Sequence, residues 1–121
     1  MVVLKVQPLG GIDATKQVAQ KALQAGLEVV VSSALETSVG LYRGAQMVGW
    51  LEEKGSVVLD AGLGTQSLLA DDVVRDPLVA SSGILTVAPP ALDQEKLSAL
   101  RADDDRTDWW HQRLERCLAL L

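Results

Sequence analysis

The chain has 121 residues, 48% apolar and 22% charged, with a formal net charge of −5. That is about one domain, with the balance of a globular protein that can bury a core. No lysine or arginine cluster interrupts the acidic balance, so neither a nucleic acid nor a membrane is an expected partner. The single cysteine, Cys117, excludes an internal disulfide. It fits a reducing compartment. The start lacks the basic flank and apolar length of a signal peptide, and no run is long enough to span a bilayer, so a cytoplasmic setting is expected.

Aromatic residues are scarce: Tyr42, Trp50, Trp109 and Trp110, with no phenylalanine. The core must therefore be built from valine, leucine and alanine. Residues Val2 to Val6 read as a short buried strand with Lys5 in its apolar run, followed closely by Pro8, Gly10 and Gly11. Asp13 is placed to cap a helix reaching about Ala25, with Ala14, Val18 and Ala22 on one face and Gly26 as its stop. The run "LEVVVSS" fits a second strand, buried on both faces. Residues Ser38 to Glu53 are helical in pattern. Gly44 and Gly49 cost that helix propensity, which predicts close packing there. Gly55 closes the helix, and "SVVLDAGLGT" reads as a third strand with a glycine-rich turn. Strand, helix, strand, helix, strand is the order of a parallel α/β layer.

The remainder has a different character. "LLADDVVRDP" reads as a loop with a short helical piece, and "PLVASSGILTV" as a small hairpin turning at Ser81-Ser82-Gly83. Pro89-Pro90 breaks the chain, dividing a unit of residues 1–90 from a helical tail of residues 91–121. The tail is interrupted near "RADDDRTD". Beyond it Trp110, Leu114, Cys117 and Leu121 share a face that should pack on a partner surface, with Cys117 as inert core.

In parallel sheets ligands bind at the carboxyl ends of the strands. Here those ends carry Lys5, then "SSALETSVG" with Ser32, Ser33 and Glu36, then Asp60 and "AGLGT". Glycines 10, 11, 62 and 64 would let the backbone approach a ligand and present N–H groups to it. Taken alone, each residue also has a plainer role. Lys5 can pack its stem and extend its amine to water. The serines can simply end a strand. Glu36 reads as a carboxylate at a helix N-terminus, favoured by the dipole, or as support for a neighbouring site residue. Asp60 reads as a satisfied strand-end carboxylate, His111 as a lone helical histidine, and "DDDR" as a solvated turn.

The segments "LKVQPLGG", "VVSSALETSVGL" and "GLGTQSLLADDVV", in this order and at about this spacing, resemble the o-succinylbenzoate synthase family of the enolase superfamily. The resemblance covers roughly Val2 to Pro90. It implies an α/β fold, the last three strand/helix units of a modified TIM-type (β/α)8 barrel, with the segments as strands six to eight and a helical tail after them. It implies a lyase that dehydrates a succinyl-hydroxy-cyclohexadiene carboxylate to o-succinylbenzoate, a step toward menaquinone, with magnesium holding the substrate carboxylate. Lys5 matches the sixth-strand lysine, which stabilises the enediolate intermediate. Ser33, Ala34 and Leu35 are expected at the succinyl end of the substrate, and Gly62 near its carboxylate. Gly64 stands where some relatives carry aspartate, so no side-chain role follows there.

The family's K-x-K pair and its three acidic metal ligands have no counterpart here, so no metal-ligating residue is assigned and the chain reads as the C-terminal third of such an enzyme, inactive alone. A three-stranded piece has open edges, which predicts self-association or dependence on a missing N-terminal portion. Two other readings stand. An N-acylamino-acid racemase would use a lysine at the same place. A non-enzymatic α/β module would need no metal and would fold alone.

Overall fold

A computed structural model describes residues 1–56 and 59–121. Strand β1 (Val2–Leu4) and strand β2 (Val29–Val31) pair in parallel, with Val3 opposite Val30. Helix α1 (Ile12–Gln24) connects them, and helix α2 (Ser38–Glu53) follows β2. The third expected strand runs partly through residues 57–58, which lie outside the described residues. Its end is visible. Gly62 donates its N–H to the Val31 carbonyl, and Ser33 donates to the Gly62 carbonyl, both at 2.9 Å. Segment 61–63 therefore runs parallel to β2 on the side away from β1.

Both helices pack on one face of this sheet. Leu4, Val6, Val29 and Val31 meet Ala19, Ala22, Leu41, Met47 and Leu51, with Leu63 and Leu78 closing the cluster. Aliphatic side chains and one methionine make this core, as the scarcity of aromatics implies. Val3 and Val30 point the other way by strand alternation. Val3 is 52% exposed and Val30 half-buried. So β2 is covered fully on one face only, because α1 and α2 both lie on that side.

The α1 expectations need two corrections. Its N-cap is Gly11, and no side chain caps it; Asp13 lies in the first turn. Its buried residues are Thr15, Ala19 and Ala22, while Val18 is exposed. Ala22 is buried as expected, but Thr15 and Ala19 take the places expected of Ala14 and Val18; Thr15 is accommodated because its hydroxyl donates to the Gly11 carbonyl at 2.7 Å. Gly26 (φ 71°) and Gly55 (φ 69°) end the two helices in the left-handed region that glycine tolerates best. At Gly44 a β-carbon would sit 2.9 Å from Leu63 Cδ2, so the helix does pack closely there. At Gly49 nothing lies within 4 Å.

After segment 61–63 comes a 3-10 turn (Thr65–Leu68). Ser81 and Ile84 form a tight antiparallel bridge, with Ser82 (φ 50°) and Gly83 (φ 77°) as the turn centre. Both positive φ values match a two-residue hairpin turn. Past Pro90 the chain pairs back: Arg75 N–H donates to Ala91 O and Asp93 N–H to Val73 O, each at 3.0 Å. Helix α3 (Gln94–Ala99) starts at Asp93, whose carboxylate accepts from Glu95 and Lys96 N–H. Helix α4 (Asp104–Leu118) starts at Asp103, which accepts from Arg106 N–H. None of the residues of α4 is buried: Trp110 is 55% exposed and Cys117 is exposed. Cys117 is therefore not core, because no surface among the described residues covers that face. No helix of the described residues is long and apolar enough to cross a membrane.

Candidate functional site

The strand ends bring Lys5 and the serine pair together. Lys5 follows β1 and shares the open face with Val3. Ser32 follows β2 at the matching level. The Lys5 ammonium donates to Ser32 Oγ at 3.1 Å and to the Ser33 carbonyl oxygen. An ammonium has three N–H donors, so one remains for a ligand. Lys5 is half-buried.

Ser33 turns the opposite way and is buried. It donates from Oγ to the Gly62 carbonyl at 2.9 Å and accepts from Thr65 Oγ1 at 2.9 Å. With its N–H also on Gly62, Ser33 binds the second and third strand ends to each other. The approach is close at Gly62: a β-carbon there would lie 3.0 Å from Ser32 Oγ, so that side chain would have to shift by a few tenths of an ångström.

Residues 34–36 form a tight turn. Ala34 donates its N–H to the Glu36 carboxylate. Leu35 has φ 62° and is 53% exposed. A non-glycine residue held there costs about 1–3 kcal/mol, and such conformations gather at functional sites. Glu36 is buried, and its carboxylate serves this turn rather than the first turn of α2. That corrects the helix-terminus reading: Glu36 lies one residue outside the N-cap Thr37, and its carboxylate bonds back to Ala34.

The group that does hold the start of α2 is Asp72. It is fully buried. Its Oδ2 accepts from Ser38 N–H at 2.9 Å, Ser38 Oγ at 2.6 Å and Gln66 Nε2 at 3.1 Å. Ser38 Oγ in turn accepts from Leu78 N–H at 2.8 Å. Burial pushes the Asp72 carboxyl up, but the Ser38 hydroxyl and N–H, the Val73 N–H and the Gln66 amide together hold it below its ordinary value. Asp71 beside it is also lowered, by the Asp72 N–H and by Lys96, which bonds it at 3.0 Å.

Sequence reasoning missed Asp72, Ser38, Gln66 and Thr65. Asp72 lies 34 residues from Ser38, and no local spacing links them. The one signal was Thr65 directly after "AGLG". Asp60 is exposed, as are His111 and the "DDDR" acids. Among the described residues no three of His, Cys, Asp and Glu gather as a metal site. A separate cleft of about 430 Å³ lies between α2 and the hairpin, lined by Ala45, Val48, Leu63, Leu85 and Val87, and it includes none of the Lys5 cluster.

No family model matches the chain. Curated relatives do. Over 119 residues it is 41% identical to the o-succinylbenzoate synthase of Mycolicibacterium smegmatis, covering 98% of this chain and 35% of that protein. The protein of the same name from Mycobacterium tuberculosis is 40% identical over 119 residues, 98% of this chain and 34% of its own length. That of Thermobifida fusca is 41% identical over 114 residues, 94% and 33%. The chain spans about a third of the length of the curated relatives it matches. It is therefore a relative of the o-succinylbenzoate synthases, along a stretch equal to about one third of such a protein.

Proposed function

We propose that this stretch supplies the Lys5-bearing part of an o-succinylbenzoate synthase-type active site. The reaction is the loss of water from a succinyl-hydroxy-cyclohexadiene carboxylate to give o-succinylbenzoate, a step toward menaquinone. The observation that carries the reading is the Lys5 ammonium, fixed on the open face at the strand ends by Ser32 Oγ and the Ser33 carbonyl. The similarity to o-succinylbenzoate synthases suggests the reaction class.

Taking a proton from the carbon beside a carboxylate builds negative charge on that carboxylate. A fixed ammonium lowers the cost, since it needs no reorganisation as the charge develops. Two of its donors are anchored and the third is available for that charge. Over a conjugated ring it adds a cation–π attraction of about 0.5–2 kcal/mol. Ser33, Ala34 and Leu35 would border the succinyl end, largely through backbone groups, and Gly62 the carboxylate end. The resemblance puts the proton acceptor in the K-x-K pair outside this match; of the other lysines here, Lys16 and Lys54 lie over Trp50, Lys96 is on Asp71 and Lys21 is exposed on α1.

The resemblance also implies magnesium, whose chemistry is to hold the substrate carboxylate. The described residues do not fit it. Glu36 is committed to the Ala34 N–H, and Asp72 to Ser38 and Gln66. Its ligands belong to the two thirds of such a protein outside this match, and the role of Lys5 does not depend on them.

The test is complementation. The chain is mixed with the remaining two thirds of a related synthase and magnesium, and formation of the aromatic product is followed. Activity that Lys5→Ala lowers by about 10²–10³-fold or more, the scale of a lost charge-stabilising donor, supports the reading. A soluble folded complex without activity overturns it.

A further inference from the structure

The Lys5 cluster is built from two loops, one after β2 and one after segment 61–63. Each loop has a local bond of its own, Ala34 N–H on the Glu36 carboxylate in the first and Ser67 Oγ on the Gly64 carbonyl in the second, but neither bond ties one loop to the other. The first passes from Ser33 through the strained Leu35 to Ser38. The second passes from Gly62 through Thr65 to Gln66. Asp72 belongs to neither, yet it grips both: Ser38 at the end of the first and Gln66 at the end of the second. Between these grips the loops meet directly, through Ser33 Oγ on Gly62 O and Thr65 Oγ1 on Ser33 Oγ.

We infer that Asp72 is a positioning residue that locks the two site loops together, so that the Ser33 carbonyl, which anchors Lys5, and Gly62 keep a fixed separation. The orientation of Gln66 supports this. Its Oε1 is buried with no hydrogen-bond partner among the described residues. Turning the amide over would set that oxygen against the Asp72 carboxylate, so the ion fixes which way Gln66 faces. A fully desolvated carboxylate saturated by donors from two segments has one arrangement, and leaving any of those donors unpaired is costly. The functional meaning of this lock rests on the proposed role of the Lys5 cluster; the lock itself does not.

Amide hydrogen exchange on the 121-residue chain tests it. In Asp72→Ala, Ser38 and Val73 must lose their acceptor whatever the wider role. The informative amides are Ser33 and Gly62, which Asp72 does not touch. Their exchange is expected to rise at least about tenfold, while the α1 amides and the Ser32 N–H on Leu4 O keep their protection. A rise confined to Ser38 and Val73, or an equal rise at every amide, overturns the inference. Gln66→Leu cuts one grip only and guards against a first variant that does not fold. It should speed Ser33 and Gly62 while leaving Ser38, still held by Asp72, protected; unchanged Ser33 and Gly62 exchange overturns the inference. The readout needs no turnover, so a failed complementation assay would overturn the functional reading without deciding this one.

Discussion

Replacing Gly40 by alanine sets two opposed effects against each other with known signs. Glycine to alanine inside a helix gains up to about 1 kcal/mol, less in a first turn. Gly40 is in the first turn of α2. A β-carbon there would lie 2.6 Å from Glu36 Cβ and 2.7 Å from Glu36 Cγ, with Gln7 Nε2 at 3.1 Å. Ordinary carbon contacts begin near 3.5 Å, so about 1 Å must be found. Glu36 Cβ is tied to its backbone and cannot swing away. The movement pulls the carboxylate from the Ala34 N–H and opens the turn at Leu35. Overpacking of this kind costs about 1–3 kcal/mol, and loss of a charged hydrogen bond about 1.5–3 kcal/mol. The net expectation is a loss of about 1.5–6 kcal/mol. Gly49→Ala in the same helix is the control. It meets nothing within 4 Å, so it should gain up to about 1 kcal/mol. Urea unfolding of the two variants should separate their midpoints by more than about 0.5 M, given a slope of about 1–3 kcal/mol/M for a small protein. If Gly40→Ala is as stable as Gly49→Ala, the Glu36 turn does not resist displacement and the reasoning fails.

The lowered Asp72 carboxyl gives a pH signature. Its stabilisation is complete above the ordinary carboxylate value of about 3.9 and is lost as pH falls through the lower folded value, so wild type should lose urea resistance below about pH 4 more steeply than Asp72→Asn; parallel curves would refute it. Cys117 is exposed on α4, so Ellman's reagent should titrate it in the folded chain as fast as in urea; strong protection would mean that the α4 face is covered in solution. Among the described residues β1 pairs with β2 alone and shows Val3 52% exposed, so the chain should self-associate with concentration and Val3→Lys should weaken this without lowering stability by more than about 0.5 kcal/mol. Equal sedimentation of both proteins as monomers would remove the edge argument.

Much of the fold was legible because local rules agree along the first half of the chain. Helix α2 has the bounds its sequence predicts, Ser38 to Glu53. Valine runs marked both strands, and Gly26 and Gly55 marked both helix ends. The buried stripe of α1 keeps Ala22 but uses Thr15 and Ala19 in place of Ala14 and Val18, since a threonine can satisfy its own hydroxyl on the preceding turn, which apolar periodicity does not register. Cys117 was misjudged for a different reason. An amphipathic pattern says that a face wants covering, not that something covers it.

The site divides along the same line. Lys5, Ser32, Ser33 and Gly62 converge because parallel strands in register place their carboxyl ends side by side, a consequence of topology that sequence order already implies. The ladder bonds of Gly62 to Val31 and Ser33 join those ends, but the loops that follow them are tied by a group outside the strands. Asp72 reaches Ser38 across 34 residues and Gln66 across 6, and it is fully buried. An ion in that position has to be saturated by the segments it touches or pay several kcal/mol in desolvation. The folded chain saturates it with donors from the ends of both site loops. A strand-end lysine can thus be read from sequence, whereas the carboxylate that holds its surroundings becomes visible only once the chain has closed around it.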